Sequence, residues 1–226
     1  MRALLLASLI LSGGVLTAEE ALAPLPLKLP IPIFTGTPPN PPQGVKLRPN
    51  VKEIRPPFMA AKGLVNLAFE KPVTASDKEP VIGELKQVTD GDKAGASGSY
   101  VELDTGHQWV QVDLGEAREV HAVVFWFYHG LPVVYHDVIV QVSDDVDFIT
   151  GVKTLFNNDF DNSSGMGVGK DFEFYETYQG QLLDTRKDGK PLVARYIRVG
   201  TNGSTEYETN RFTEVEVWGR PVKNGK

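Results

Sequence analysis

Between residues 63 and 219 the apolar positions fall in short runs rich in β-branched and aromatic side chains, separated by glycine, aspartate and asparagine. The clearest are residues 109–114 (WVQVDL), 122–128 (AVVFWFY), 137–142 (DVIVQV), 194–199 (ARYIRV) and 212–218 (FTEVEVW). In the first, Val110, Val112 and Leu114 alternate with Gln111 and Asp113, the period of a strand with one buried face. No stretch of about a dozen residues keeps a helical period, and no internal repeat is visible. Many short strands with turn residues between them predict an all-β sandwich or barrel. The region is long enough to bury a core and fold alone.

The pattern upstream is different. Residues 1–18 (MRALLLASLILSGGVLTA) place Arg2 before an apolar run and end on small residues, the layout of a secretory signal peptide. Cleavage is expected after Ala18, although Leu16 is bulky at the minus-three position. The alternative at Ala21-Leu22-Ala23 would leave Pro24 just after the cut. From residue 21 to 57 there are eleven prolines, against five in the rest of the chain. Proline removes backbone donors and fixes extended φ, so this stretch builds neither helix nor sheet interior. Pro24, Pro26, Pro30 and Pro32 alternate with leucine and isoleucine, unlike a polar, glycine-serine linker. Two readings stay open: a plain extended spacer, or an apolar strip docked on its own domain or on a partner. The expected organisation is a signal peptide (1–18), a proline-rich arm or linker (19–62), the β-sandwich (63–220) and a short tail (221–226).

A formal charge of −6 and a pI near 5.3 argue against a general nucleic-acid binder and against a polybasic membrane-surface protein. No run is long enough for a membrane span once the signal is set aside. Cysteine is absent, which removes disulfides, thiolate metal sites and a cysteine nucleophile. An exported chain without cysteine fits a bacterial envelope or periplasm better than an animal extracellular space.

Five segments carry a more specific likeness. They are NLAFEKPVTAS from Asn66, VTDGD at 88–92, QWVQVDLG at 108–115, DVIVQVSDDVDF at 137–148, and 194–219 from ARYIRV to FTEVEVWG. In this order they resemble the discoidin domains, or coagulation factor V/VIII type C domains, and the related galactose-binding-like carbohydrate modules. The resemblance implies an eight-stranded, jelly-roll-like β-sandwich. It also implies a structural Ca²⁺ held by the Asp90 side chain, main-chain oxygens of Gln87, Asp92 and Thr213, and the Glu214 carboxylate. A hard cation that takes six to eight oxygens suits such a set. The chain departs from the family where a serine or threonine hydroxyl is often supplied and Gly95 stands instead, with Ser97 and Ser99 nearby. The alternative is a metal-free turn in which Asp90 caps backbone amides.

Ligands of such sandwiches bind at a loop-bearing end. The 128–136 connection (YHGLPVVYH) offers Tyr128, His129, Tyr135 and His136; the 201–211 loop (TNGSTEYETNR) offers Asn202, Tyr207, Asn210 and Arg211. Aromatic rings stack on the apolar face of a sugar while polar groups bond its hydroxyls, so carbohydrate or a glycoconjugate is the expected partner. The alternative reading makes the tyrosines packing residues and His136 a partner of backbone groups.

The 153–183 segment holds Asn157, Asp159 and Asp161 at alternate positions, but Val168 stands where an EF-hand closes with glutamate. Its glycines before Lys170 lack phosphate-loop spacing. It is expected to be an ordered excursion held by Asx-turns. Neither G-x-S-x-G nor H-E-x-x-H occurs, and the four histidines show no metal spacing, so no enzyme is expected. Two function classes follow: an exported carbohydrate-binding module, or an assembly protein of the envelope or an extracellular complex whose proline-rich arm docks on a partner or self-associates.

Overall fold

The computed structural model describes residues 20–33, 42–48 and 54–222. The expected signal peptide lies outside them, as does the tail beyond Val222. The architecture is the all-β sandwich expected, built from nine strands, with a two-stranded ribbon laid over it. The ribbon is β1 (Leu22–Pro24) with β2 (Met59–Ala61). The sandwich follows with β3 (Val65–Asn66), β4 (Val73–Ala75), β5 (Val101–Thr105), β6 (Gln108–Phe127), β7 (Ile139–Ser143), β8 (Lys153–Asn157), β9 (Gln181–Asp184), β10 (Leu192–Thr201) and β11 (Thr209–Pro221).

The topology turns on β6. The sequence predicts two strands, at 109–114 and 122–128; the structure has one strand of 20 residues. Its first half pairs with β4 and β10, and its second half with β11 and β9. Between them Gly115 takes φ +88°, and its amide donates to Asp113 Oδ1 at 2.8 Å. The polar residues 115–119 therefore bend the strand without ending it. The outer strands run β10–β7–β8 on one side, and β11 carries β3 and β5 on the other. Inward-facing side chains of both halves form one core, with Val110, Val112, Phe125 and Phe127 of β6 meeting Ile197, Val199, Val140, Val215 and Val217.

The opposite face of the second half is apolar too, which explains the unbroken AVVFWF run: both sides of a strand that reads as a continuous hydrophobic stretch are covered. Ala122, Val124, Trp126 and Trp218 form a second cluster with Leu25, Leu27, Phe58, Ala60, Ala61 and Leu64. The described parts of the proline-rich arm are thus docked on their own domain. Leu25 N donates to Phe58 O (2.8 Å) and Lys62 N to Ala21 O (2.9 Å), so the two passes of the strap hold each other. Arg55 fixes the return pass by donating to the carbonyls of Gly180 and Gln179 at 2.9 Å. Between the passes, Arg48 N bonds Glu173 O and Glu173 N bonds Lys46 O, so the arm also touches the loop side of the sandwich.

Candidate functional site

The strands bring the 128–136 and 201–211 loops to one end, and the predicted residues divide into three groups there. The first is an aromatic cluster around a guanidinium. Arg211 lies 3.5 Å over the Tyr207 ring, 5.2 Å from the Tyr100 centroid and 5.7 Å from that of Tyr128. Tyr128 tilts against Tyr100 at 5.0 Å and meets Tyr207 edge-on at 6.4 Å. Register positions the cation: Arg211 on β11 is opposite Glu102 on β5, and the two form an ion pair at 3.0 Å. Thr209 Oγ1 donates to the other Glu102 oxygen at 2.7 Å. Burial is the largest single influence on Arg211 and lowers its pKa, but the Glu102 carboxylate together with Tyr100 and Tyr207 outweighs it, and the guanidinium ends above its ordinary value. Tyr128, Tyr207 and Arg211 are half-buried, whereas Tyr100 is nearly covered. Tyr100 and Glu102 were not among the predicted residues; their position just before and inside a short strand, SYVELDT, was the signal available.

The second group frames the loops. Asn210 is fully buried; its Oδ1 accepts from Gly203 N, and its Nδ2 donates to Asp104 O and Gly106 O. Asn202 Nδ2 donates to Asp137 Oδ2 at 2.9 Å. His136 Nδ1 is 3.2 Å from Glu173 Oε1, and the other Glu173 oxygen accepts from Lys46 N of the arm at 2.7 Å. These residues stand beside the tyrosine cluster and have partners within the chain.

The third group is interior, which corrects the expectation that all four residues of the first loop face a ligand. Tyr135 is 1% exposed and stacks on Phe127 at 4.5 Å, so its ring belongs to the core. His129 is also 1% exposed; its Nε2 contacts Lys93 O at 2.8 Å and its ring packs where Gly95 leaves room for no Cβ. Gly95, which stands where the resemblance would call for a hydroxyl, accommodates this imidazole.

Among the residues implied as Ca²⁺ ligands, Glu214 is fully buried on β11. Its Oε2 accepts from Gly91 N at 3.2 Å, while its Oε1 has no hydrogen-bond partner. Burial above all, with Glu216 and Asp90 adding to it and the Gly91 amide and Lys93 opposing it, pushes its pKa up to about 9. A cation is what such an orphaned, anion-flanked carboxylate needs. Gly91 turns at φ +89° under the Phe69 ring, and Asp90 Oδ1 accepts from Asp92 N at 2.8 Å. The Gln87 side chain is engaged with Glu84 N and Gly98 O, which leaves only its main chain for a metal. Asp92 Oδ1 accepts from Ala94 N, and Thr213 is fully buried.

Asp137, Asp159 and Asp161 bring carboxylate oxygens within 4.8 Å of one another. Asp159 is fully buried and accepts from Ser163 N (3.0 Å), Ser164 N (2.9 Å) and the Ser164 hydroxyl. Burial raises its pKa, but these bonds outweigh that and leave it below the ordinary value. Here the excursion has the Asx-turn construction expected. A groove of about 280 Å³ opens between β8 and the following loop, lined by Phe156, Met166, Val168 and Lys170, and includes none of the predicted ligand residues.

No protein-family model matches this chain, and no curated protein matches it. Solved structures do. The CpGH89 protein of Clostridium perfringens, in complex with its substrate GlcNAc-α-1,4-galactose, is similar with a TM-score of 0.50 at 18% identity over 71% of this chain, and the match spans 15% of that longer chain. The separate module CpGH89CBM32-4, in complex with GlcNAc-α-1,4-galactose, gives 0.49 at 16% identity, covering 71% of this chain and 97% of its own. Chitosan-binding module 1 of a Paenibacillus sp. IK-5 chitosanase/glucanase gives 0.44 at 23%, covering 69% and 99%. At these identities the likeness is one of fold alone, that of an all-β sandwich.

Proposed function

We propose that this protein is an exported, non-catalytic carbohydrate-binding module whose ligand rests on Tyr128, Tyr207 and Arg211. The observation that carries the reading is the wall of three tyrosines gathered on one guanidinium at the loop-bearing end. The partly exposed rings of Tyr128 and Tyr207 offer apolar surface to a sugar's C–H groups, with Tyr100 backing them, and phenol and guanidinium groups bond hydroxyls. Arg211 is already paired with Glu102, and the neighbouring loop positions Glu206 and Glu208 are exposed carboxylates. That balance favours neutral or amino sugars over uronates. His136 and Asn202 flank the wall; Asn210 holds the loop in shape from within.

A Ca²⁺ would be held by Asp90 and Glu214 with main-chain oxygens of Gln87, Asp92 and Thr213. It would supply countercharge to a buried carboxylate and tie the 87–92 turn to β11. Its role is structural, and the chain's own Gly91 amide and Lys93 partly do the same work without it. Export rests on the signal-like residues 1–18. No helix among the described residues is long and apolar enough to cross a membrane.

The test is a glycan array probed with the full chain, with and without Ca²⁺, carrying neutral, amino and uronate oligosaccharides. Binding to neutral or amino sugars that is lost in Tyr207→Ala supports the reading; absence of binding to every sugar overturns it. A second reading, envelope assembly through the arm, is favoured by one observation. Ile31, Ile33 and Ile54 point outward from the docked strap, Ile31 being 88% exposed. Light scattering on the full chain and an Ile31→Asp variant tests it: self-association lost in the variant is expected, and a monomeric full chain refutes self-assembly.

A further inference from the structure

We propose that His121 is an acid-operated latch for the amino-terminal strap, and that charging its imidazole releases residues 20–27 and 54–62 from the outer face of the sandwich. His121 lies on β6 at the foot of the strap, is 2% exposed, and neither ring nitrogen has a hydrogen-bond partner. A buried neutral imidazole tolerates this, but a buried imidazolium without an acceptor does not.

The surroundings make that intolerance bear on the strap. Two arginines join strap to sandwich at this point. Arg220 of β11 forks between Glu20 at the start of the strap and Glu119 of β6. Arg186, after β9, donates through Nη1 to Met59 O (2.9 Å), covers the Phe58 ring at 4.5 Å, and pairs with Asp184. The charged groups felt by His121 are these same residues: Arg220 from β11, Glu119 from its own strand, Glu20 from the strap, and Arg186 with Asp184 from the β9 side. A charged His121 would stand against both guanidinium groups and compete with them for Glu119, Asp184 and Glu20. Each of those carboxylates is in use as a fastening or as the orienter of one. Opening the strap hydrates the ring and separates the charges.

The sign follows from the direction of the shift. Burial, then the Arg220 charge, hold the imidazole below its ordinary value while the strap is closed; open, it returns to about 6.5. The open form therefore binds the proton more tightly, and strap closure weakens as pH falls through that value by roughly tenfold per pH unit. Release would uncover Trp126 and Trp218.

Hydrogen exchange on the full chain reads this directly. The Leu25 and Lys62 amides, which bond Phe58 O and Ala21 O across the strap, should lose protection at least about tenfold between about pH 7.5 and about pH 5 after correction for intrinsic rates, while core amides of β6 keep theirs. In His121→Gln the strap protection should not change over that range. If the full chain shows no such loss, or His121→Gln shows the same loss, the latch is refuted. Should that variant fail to fold, Arg220→Gln serves: removing the adjacent cation raises the closed-strap value toward the open one, so the fold-loss of strap protection between about pH 7.5 and about pH 5 must shrink, whatever the lost fastening does to protection at neutral pH. An undiminished loss overturns the proposal.

Discussion

Replacing Glu214 by glutamine should stabilise the metal-free protein, against the usual effect of altering a buried residue. Glu214 is fully buried, with one oxygen on the Gly91 amide and the other unpartnered. Its carboxyl keeps its proton to about 9 in the fold, whereas the ordinary value is 4.5. Above 4.5 the unfolded chain sheds this proton and the folded chain does not, so its contribution to stability falls as pH rises toward 9. At pH 7 the difference spans roughly 2.5 pH units, an upper bound of about 3 kcal/mol. Glutamine keeps an acceptor for Gly91 N and removes that burden, so melting in EGTA near pH 7 should rise by roughly 6–12 °C for a domain of this size. Near pH 4 the variant and the parent should melt alike. Ca²⁺ should stabilise the parent and leave the variant unmoved, because the metal's countercharge is useful only to a carboxylate. Circular-dichroism melts at the two pH values, with EGTA or Ca²⁺, settle the point. A variant less stable than the parent in EGTA near pH 7 would refute the reasoning, since it would mean that Glu214 is ionised and balanced within the chain.

Other outcomes follow from the same structure. Trp218→Ala should lower stability by about 3–5 kcal/mol by emptying the layer between strap and sheet, with exchange protection lost first at Leu25 and Lys62; protection lost uniformly would place the indole in the main core instead. Arg211→Met should cost about 3 kcal/mol in a urea titration because it strands the buried Glu102 charge, and Glu102→Gln in the same chain should recover most of it. Asp159→Ala should cost about 2–3 kcal/mol by removing the acceptor of the Ser163 and Ser164 amides. Adding Ca²⁺ should leave the size of that loss unchanged; a loss that appears only with Ca²⁺ would mark a metal site there.

The strand strings were legible because alternation at residues 110–114 and the apolar runs of β6, β7, β10 and β11 are local signals. The single long β6 was not, since residues 115–119 read as a turn, and only the structure shows Arg118 and Glu119 paired with both β10 and β11. The arm left two readings open, because proline alternating with leucine fixes an extended backbone but not what lies beneath it. The answer sat elsewhere in the chain: AVVFWF has no polar face, so something had to cover the second one. At the loop end, residue types misled in one direction. Tyr135 and His129 look like ligand-binding residues and are interior, while Arg211 is placed by its cross-strand register with Glu102, a relation between positions 109 residues apart that composition does not reveal. Glu214 was legible only through the resemblance, as an implied metal ligand; that it is fully buried against the Gly91 amide of the 87–92 turn depends on a contact between positions far apart in the chain.

The central claim is that the tyrosine–arginine wall receives a sugar. Titrating the best array-selected oligosaccharide into isotope-labelled full chain, and following backbone and side-chain resonances, tests it most directly. The account requires the largest shifts at Tyr128, Tyr207 and Arg211, with Tyr100 following and Tyr135 and His129 moving little. Shifts concentrated in the groove between β8 and residues 166–171, or no saturable shifts at all, would contradict it.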